Sequence, residues 1–263
     1  MIRMLTTIGF VSIGIVLATA GSARADEIVN MTRMVSSMGH DAPSIVTLRN
    51  ACDADALCVA RFLRDRIGDG AELVPQDTPV KKVRGWHKAQ PALTSVLADD
   101  GRTLVLVLSR YDAPAVLKVI EKLTVAPTRI VIDIRTMDKG VDMDGMRRLV
   151  SLFMGYKKRA FQIRYATGKN VDWRIPAPSI LISVDQIEVL VGAETNVAGE
   201  VFAMLLQKHA RAEISGEQTR ARGFILESIP VMHGWMLNVP RARVHIPEIG
   251  IEGGVSPSAV ESN

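Results

Sequence analysis

Residues 101–257 predict an α/β domain with a mostly parallel sheet and crossover helices, preceded by a short helical N-terminal region. Three observations carry this. Continuous β-prone runs, "TLVLVLS", "RIVIDI" and "AFQIRYA", suit buried strands. Stretches of helical period separate them, and the order strand, helix, strand, helix, strand favours parallel pairing through crossovers. Ahead of them, residues 28–68 carry helical periodicity, with Val59, Phe62, Leu63 and Ile67 three or four apart and Gly68 as the stop.

The chain opens with "MIRMLTTIGFVSIGIVLATAGSARA": one early charge, Arg3, an uncharged apolar run to Ala20, and the small-residue pattern Ala23-Arg24-Ala25. This reads as a signal peptide over residues 1–25, cut after Ala25. The alternative is a retained anchor, although the run barely reaches the roughly 20 residues a membrane span needs. A periplasmic or secreted protein is therefore expected. Cleavage removes Arg3, Arg24 and no acid, which lowers the formal charge from +4 to +2. So weak a charge argues against a nucleic-acid partner. Nothing after residue 26 is long and apolar enough to span a bilayer.

The two cysteines, Cys52 and Cys58, suggest a disulfide in an oxidising compartment, with Asp53-Ala54-Asp55 available as the turn; the alternative is two buried thiols. The five histidines are scattered and none repeats at ligand spacing with a cysteine, so neither a metal nor a cofactor is expected. Residues 69–98 are broken by Pro75, Pro79, Gly85 and Pro91, and read with the helices before them as an N-terminal region and linker over 26–98.

Within the core, "APAVLKVIEKL" puts Val116, Ile120 and Leu123 on one helix face, and "DGMRRLVSLFM" puts Met146, Leu149, Val150 and Phe153 inward. "SILISV" and "IEVLVG" read as strands, followed by a helix from about Val197 to His209. The short strands "AEIS", "GFILES", "WMLNV" and "ARVHI" come next, and residues 258–263 form a tail.

Four pieces of residues 101–257 together resemble the tail-specific, or C-terminal processing, serine protease family. "RIVIDIRTMDKGVDMDGMRRLVSLFM" is similar to that family's strand ending in Asp-Leu-Arg-Gly-Asn-Pro-Gly-Gly, with Asp133, Arg135 and Gly140 matching and Thr136, Met137, Asp138 and Lys139 departing. "NVAGEVFAMLLQKHARAEISGEQTRARG" is similar to its Ser-Ala-Ser-Ala-Ser-Glu helix and following strand, with Glu200, Gln207, Arg211, Ala212, Gly216, Glu217, Thr219 and Gly223 matching without a gap. "GWMLNVPRARVHIP" and "GGVSPS" resemble its closing strands and its Gly-Val-x-Pro-Asp end. The resemblance implies a crotonase-like α/β spiral. The family's usual PDZ domain has no room for a complete copy in residues 26–98.

The family cuts with a Ser–Lys dyad, in which a neutral amine takes the proton of the serine. The resemblance places Val197 at the nucleophile position, Arg222 at the base position, Leu226 where a supporting glutamine often stands, and Thr136 where a glycine donates an oxyanion N–H. Valine has no hydroxyl, and arginine keeps its proton at every accessible pH. The resemblance thus implies a pseudoprotease that binds a protein or peptide, held as an extended C-terminal tail. An oligomer is left open. One alternative is an active peptidase with an atypical nucleophile, for which Thr195 is the fallback, although its hydroxyl or the side chain of Asn196 better suits helix capping. Another is a structural envelope subunit. Lys208 stands more than three turns from Thr195, too far for a dyad, and Ser183, Asp185 and His209 form no pattern. Glu200 reads equally as a structural acid or a surface carboxylate, and His233 and Trp235 as core or strand-end residues rather than groove lining.

Overall fold

Caps and turns set the limits of most helices. The computed structural model describes residues 14–53, 55–75, 91–137, 140–231, 234–251 and 253–258. In chain order the elements are α1 (Gly14–Ser37), α2 (Ile45–Cys52), α3 (Ala56–Ile67), β1 (Glu72–Pro75), β2 (Leu93–Leu97), β3 (Thr103–Leu108), α4 (Ala113–Glu121), β4 (Arg129–Asp133), α5 (Met143–Met154), β5 (Lys157–Tyr165), β6 (Asn170–Ile175), β7 (Gln186–Val191), α6 (Val197–Ala210), β8 (Glu213–Gly216), β9 (Phe224–Val231) and β10 (Trp235–His245). Two compact units result: Met1–Lys81 with Leu226–Pro240, and Lys82–Ile225 with Arg241–Asn263. Among the described residues no helix is long and apolar enough to cross a membrane. Residues 1–13 of the expected signal segment, together with Asp138, Lys139 and His233, lie outside the described residues; α1 runs through Ala23-Arg24-Ala25.

In the first unit, the Ser44 hydroxyl accepts the Thr47 N–H at 3.1 Å to start α2, and Asp53 ends it at φ 45°. Asp55 starts α3 by accepting the Leu57 N–H at 3.0 Å, and Gly68 stops it at φ 78°. Cys52 at the end of α2 and Cys58 in the first turn of α3 stand at a Cα separation of 5.5 Å, where they form a disulfide. Val59 and Leu63 pack with Ile28, Met31, Leu48, Leu237 and Val239. Phe62, expected on the same stripe, is 38% exposed. β1 forms inside the stretch read as irregular and pairs antiparallel with β10, Glu72 opposite Asn238.

The second unit is built on the sheet β2-β3-β4-β7-β8. β3, β4, β7 and β8 run parallel, and β2 is an antiparallel edge. Its strands β3 and β4 alternate buried and half-buried residues, so they are covered unevenly rather than sealed on both faces. Asp112 caps α4, Asp142 caps α5 and Asn196 caps α6, each accepting a backbone N–H of the first turn. Leu104, Ile130, Val189, Leu149, Phe202 and Leu205 share one core.

Several elements differ from the sequence reading. β5 leaves the parallel sheet and pairs antiparallel with β6 and with the end of β10, Ala242 opposite Tyr165. β6, "NVDWRI", is an additional strand whose apolar residues Val171, Trp173 and Ile175 alternate with polar ones. "SILISV" is not a strand: Ile180 and Leu181 are 51% and 58% exposed, and only Ile182 is buried, its N–H donating to the Leu152 carbonyl at 2.6 Å. Pro176 and Pro178 ahead of it lack the N–H that a ladder needs. "WMLNV" and "ARVHI" are a single strand running through Pro240.

Candidate functional site

Of the residues singled out by the resemblance, Val197 opens α6 and Arg222 is tied to that helix through Glu200. Asn196 accepts the Gly199 N–H on Oδ1 at 3.0 Å and donates from Nδ2 to the Gly140 carbonyl at 3.1 Å, which ties the helix start to the loop after β4. Gly199 is required here, because a Cβ would sit 2.5 Å from Thr195 Cγ2 and 3.4 Å from Ile134 Cδ1. Val197 opens the helix and is only 2% exposed. Thr195 is 3% exposed and closes a turn: its Oγ1 accepts the Gly192 N–H at 2.9 Å, and its own N–H donates to the Gly192 carbonyl at 2.9 Å. The helix cap is thus Asn196, and the Thr195 hydroxyl oxygen takes part in the turn as an acceptor.

One turn after Val197, Glu200 is fully buried. Its Oε1 accepts the Arg222 N–H at 2.9 Å and the Thr219 hydroxyl; its Oε2 accepts the Gly223 N–H at 2.7 Å. Thr219 Oγ1 in turn accepts the Val255 N–H at 2.8 Å. Burial pushes the Glu200 carboxyl above its ordinary range, and the hydrogen bonds from Thr219, Gly223, Arg222 and Ala221 offset only part of that. Glu200 therefore staples loop 219–223 to α6. Within that loop Arg222 takes φ 50° and Gly223 φ 74°, and a Cβ at Gly223 would meet Ile251 Cγ2 at 2.5 Å. The Arg222 guanidinium lies 5.9 Å from the centre of the Phe224 ring.

At the end of β4, Asp133 accepts from Arg135 N at 3.0 Å, Nε at 3.0 Å and Nη2 at 2.7 Å. Burial raises the Asp133 carboxyl, but the hydrogen bonds and charge of Arg135 outweigh it and hold the carboxyl below its usual value. Thr136 follows, exposed, in the turn that leads to Gly140. Beside this turn a cavity of about 330 Å³ is lined by Ser109, Arg110, Tyr111, Met137, Gly140, Val141 and Asp142. The Tyr111 hydroxyl is buried and has no hydrogen-bond partner among the described residues, its ring lies 5.7 Å from that of Phe202, and burial raises its pKa. Nothing in the sequence singles out Tyr111.

The remaining candidates do not join the site. Lys208 Nζ donates to the Pro247 carbonyl at 2.7 Å and to Glu248 Oε2 at 3.0 Å. His209 is held below its ordinary pKa by burial and by Lys157 and Lys208. Ser183 and Asp185 lie in the exposed run before β7. Leu226, 40% exposed, begins the segment that clusters with the first unit, and Trp235 packs at the edge of that unit's core. Among the described residues no three His, Cys, Asp or Glu side chains are grouped to hold a metal ion.

The family model of peptidase family S41 matches residues 102–260. The chain belongs to peptidase family S41. Among solved structures, this S41 chain is similar to a photosystem II D1 C-terminal processing protease at 22% identity and a TM-score of 0.50, over 64% of this chain and 47% of that one. It therefore spans about half the length of that protease. A lipoprotein from Streptococcus agalactiae matches at 10% identity and a TM-score of 0.57, over 89% and 90% of the two chains. A putative peptidase from Parabacteroides merdae matches at 12% and 0.50, over 73% and 59%. These likenesses are to the fold of the S41 chain. No curated protein matches it.

Proposed function

We propose that the chain is a secreted or periplasmic S41-family pseudoprotease, which binds a peptide or partner protein without cutting it. The observation that carries this reading is the pair of residues at the two dyad positions. Val197 offers an aliphatic, 2% exposed side chain in place of a hydroxyl. Arg222 offers a guanidinium that cannot accept a proton in place of a neutral amine. The Glu200 hydrogen bond to the Arg222 N–H supports placing these two positions in one site. Thr195 is a poor substitute nucleophile, because its hydroxyl is buried in the Gly192 turn.

Several features support the finer parts of the reading. A crotonase-like spiral with a cleft at the start of α6 would account for the cavity beside Thr136 and Gly140. A cavity of that size lies at the lower end of what ligand pockets enclose. The Ala23-Arg24-Ala25 pattern and the Cys52–Cys58 disulfide favour export, with residues 1–25 removed. Residues 26–98 then act as an N-terminal region whose last strand, β2, joins the sheet of the core at 101–257.

Incubating the purified protein with an unstructured substrate that ends in apolar residues tests the reading. No turnover is expected, with binding of the tail peptide in the micromolar to millimolar range. Turnover that disappears in Thr195→Ala would overturn it in favour of a threonine-type peptidase.

A further inference from the structure

On β5 and β10, Arg164 and Arg243 are register partners. Their neighbours Ile163, Ala242 and Val244 are buried, so the two arginines share the opposite, outer face. Cross-strand partners hold their Cβ atoms about 5 Å apart, and like charges so placed repel. Among the described residues neither guanidinium is paired with a carboxylate. Arg164 donates from Nε to Gln162 Oε1 at 2.8 Å, a neutral partner. Arg243 lies over the Phe224 ring, Cζ 4.7 Å from its centre, and its buried Nε has no hydrogen-bond partner. The acid on the same face, Asp172, is taken by Arg159 at 3.5 Å and by Gln162 Nε2 at 3.0 Å.

This arrangement is destabilising by itself and complementary to an anion. We propose that the outer face of β5 and β10 binds acidic side chains of a peptide, with Arg164 and Arg243 as the carboxylate-holding pair and Phe224 as the platform that orients Arg243. Guanidinium takes carboxylate side-on through two parallel N–H groups. A modest turn of the Arg243 side chain gives its Nε the acceptor it lacks, and a carboxylate set between the two arginines removes their repulsion. Stacking on Phe224 limits the freedom that Arg243 loses on binding. The inference rests on the peptide-binding reading above and adds to it the charge of the ligand.

The test uses the purified protein and matched synthetic peptides that carry either four consecutive glutamates or four glutamines, together with a neutral apolar-tailed peptide. The glutamate peptide is expected to bind at least tenfold tighter than its glutamine twin at low salt, and to lose that advantage as ionic strength rises. Arg164→Gln and Arg243→Gln should each weaken the glutamate peptide about tenfold and leave the neutral tail unchanged. Arg164 is exposed, so its variant retains the fold even if the Arg243 variant does not. Equal binding of the two twins, or a preference unchanged in both variants, overturns the proposal. If the neutral tail binds but acidity makes no difference, this inference alone fails; if no peptide binds at all, the peptide-binding reading fails with it.

Discussion

The Glu200 carboxylate accepts the Arg222 backbone N–H at 2.9 Å, so one buried acid on α6 fixes the loop that carries the residue read as standing at the base position. Three further donors, the Gly223 N–H, the Ala221 backbone and the Thr219 hydroxyl, converge on the same carboxylate. Four donors on one carboxylate hold the 219–223 loop in one shape.

Glu200→Gln removes one acceptor oxygen and points an amide donor at a backbone N–H. An unsatisfied buried group costs about 1–3 kcal/mol. The melting temperature should fall by several degrees in calorimetry, and protease sensitivity should rise between Gln218 and Phe224.

The pH dependence follows from the same residue. The folded-state pKa of Glu200 is raised above the ordinary value of 4.5, so the folded state holds its proton more tightly than the unfolded chain. Its contribution is fully present below about pH 4.5 and is lost as pH rises through the raised folded value. Asp133, lowered from 3.8, works in the opposite sense: its contribution is present above that value and is lost as pH falls through its folded value. Melting temperature against pH should therefore show a decline above pH 4.5 that is absent in Glu200→Gln, while the acid-side loss persists in that variant.

Reinstating the dyad tests the alignment. Val197→Ser alone should stay inactive, because Arg222 cannot accept the serine proton. Val197→Ser with Arg222→Lys should give detectable cleavage of an apolar-tailed substrate, since members of such a unit contribute together and not additively. Single-turnover assays with both variants distinguish these outcomes.

Tyr111→Phe removes a buried hydroxyl that has no partner among the described residues. The variant should be neutral or stabilised by about 1 kcal/mol, an upward shift of roughly 2–4 °C. A lower melting temperature would mean that the hydroxyl has a partner.

Reduction of Cys52–Cys58, or its replacement by two alanines, opens a short loop. The chain-entropy estimate for a loop of this length is about 2 kcal/mol. Unfolding free energies from denaturant titrations with and without reductant should differ by that much, and the double alanine variant should match the reduced protein.

How legible the fold was depended on how local each signal is. The start of α6 can be read from adjacent letters, because Asn196 caps it just ahead of a run of apolar residues. Glu200 could not be settled the same way. Its burial depends on partners 19 to 23 residues further along, which fold back over it. β6 and "SILISV" exchanged roles for a related reason. A dense apolar run attracts a strand assignment, yet the half-buried strand is "NVDWRI", where alternation is the true signature, and the denser run follows two prolines. β5 has strand character in sequence, but which sheet it joins depends on β6 and β10, and no local pattern encodes that choice. The Arg164–Arg243 juxtaposition arises the same way, from register between strands distant in sequence.

The core of the first unit takes Ile229, Leu237 and Val239 from a stretch that returns only after α6 and β8 have been made. A gene shortened after residue 81 would encode three helices stripped of part of their apolar lining. This module is therefore not a detachable prefix: the ribosome must finish most of the chain before its last pieces exist.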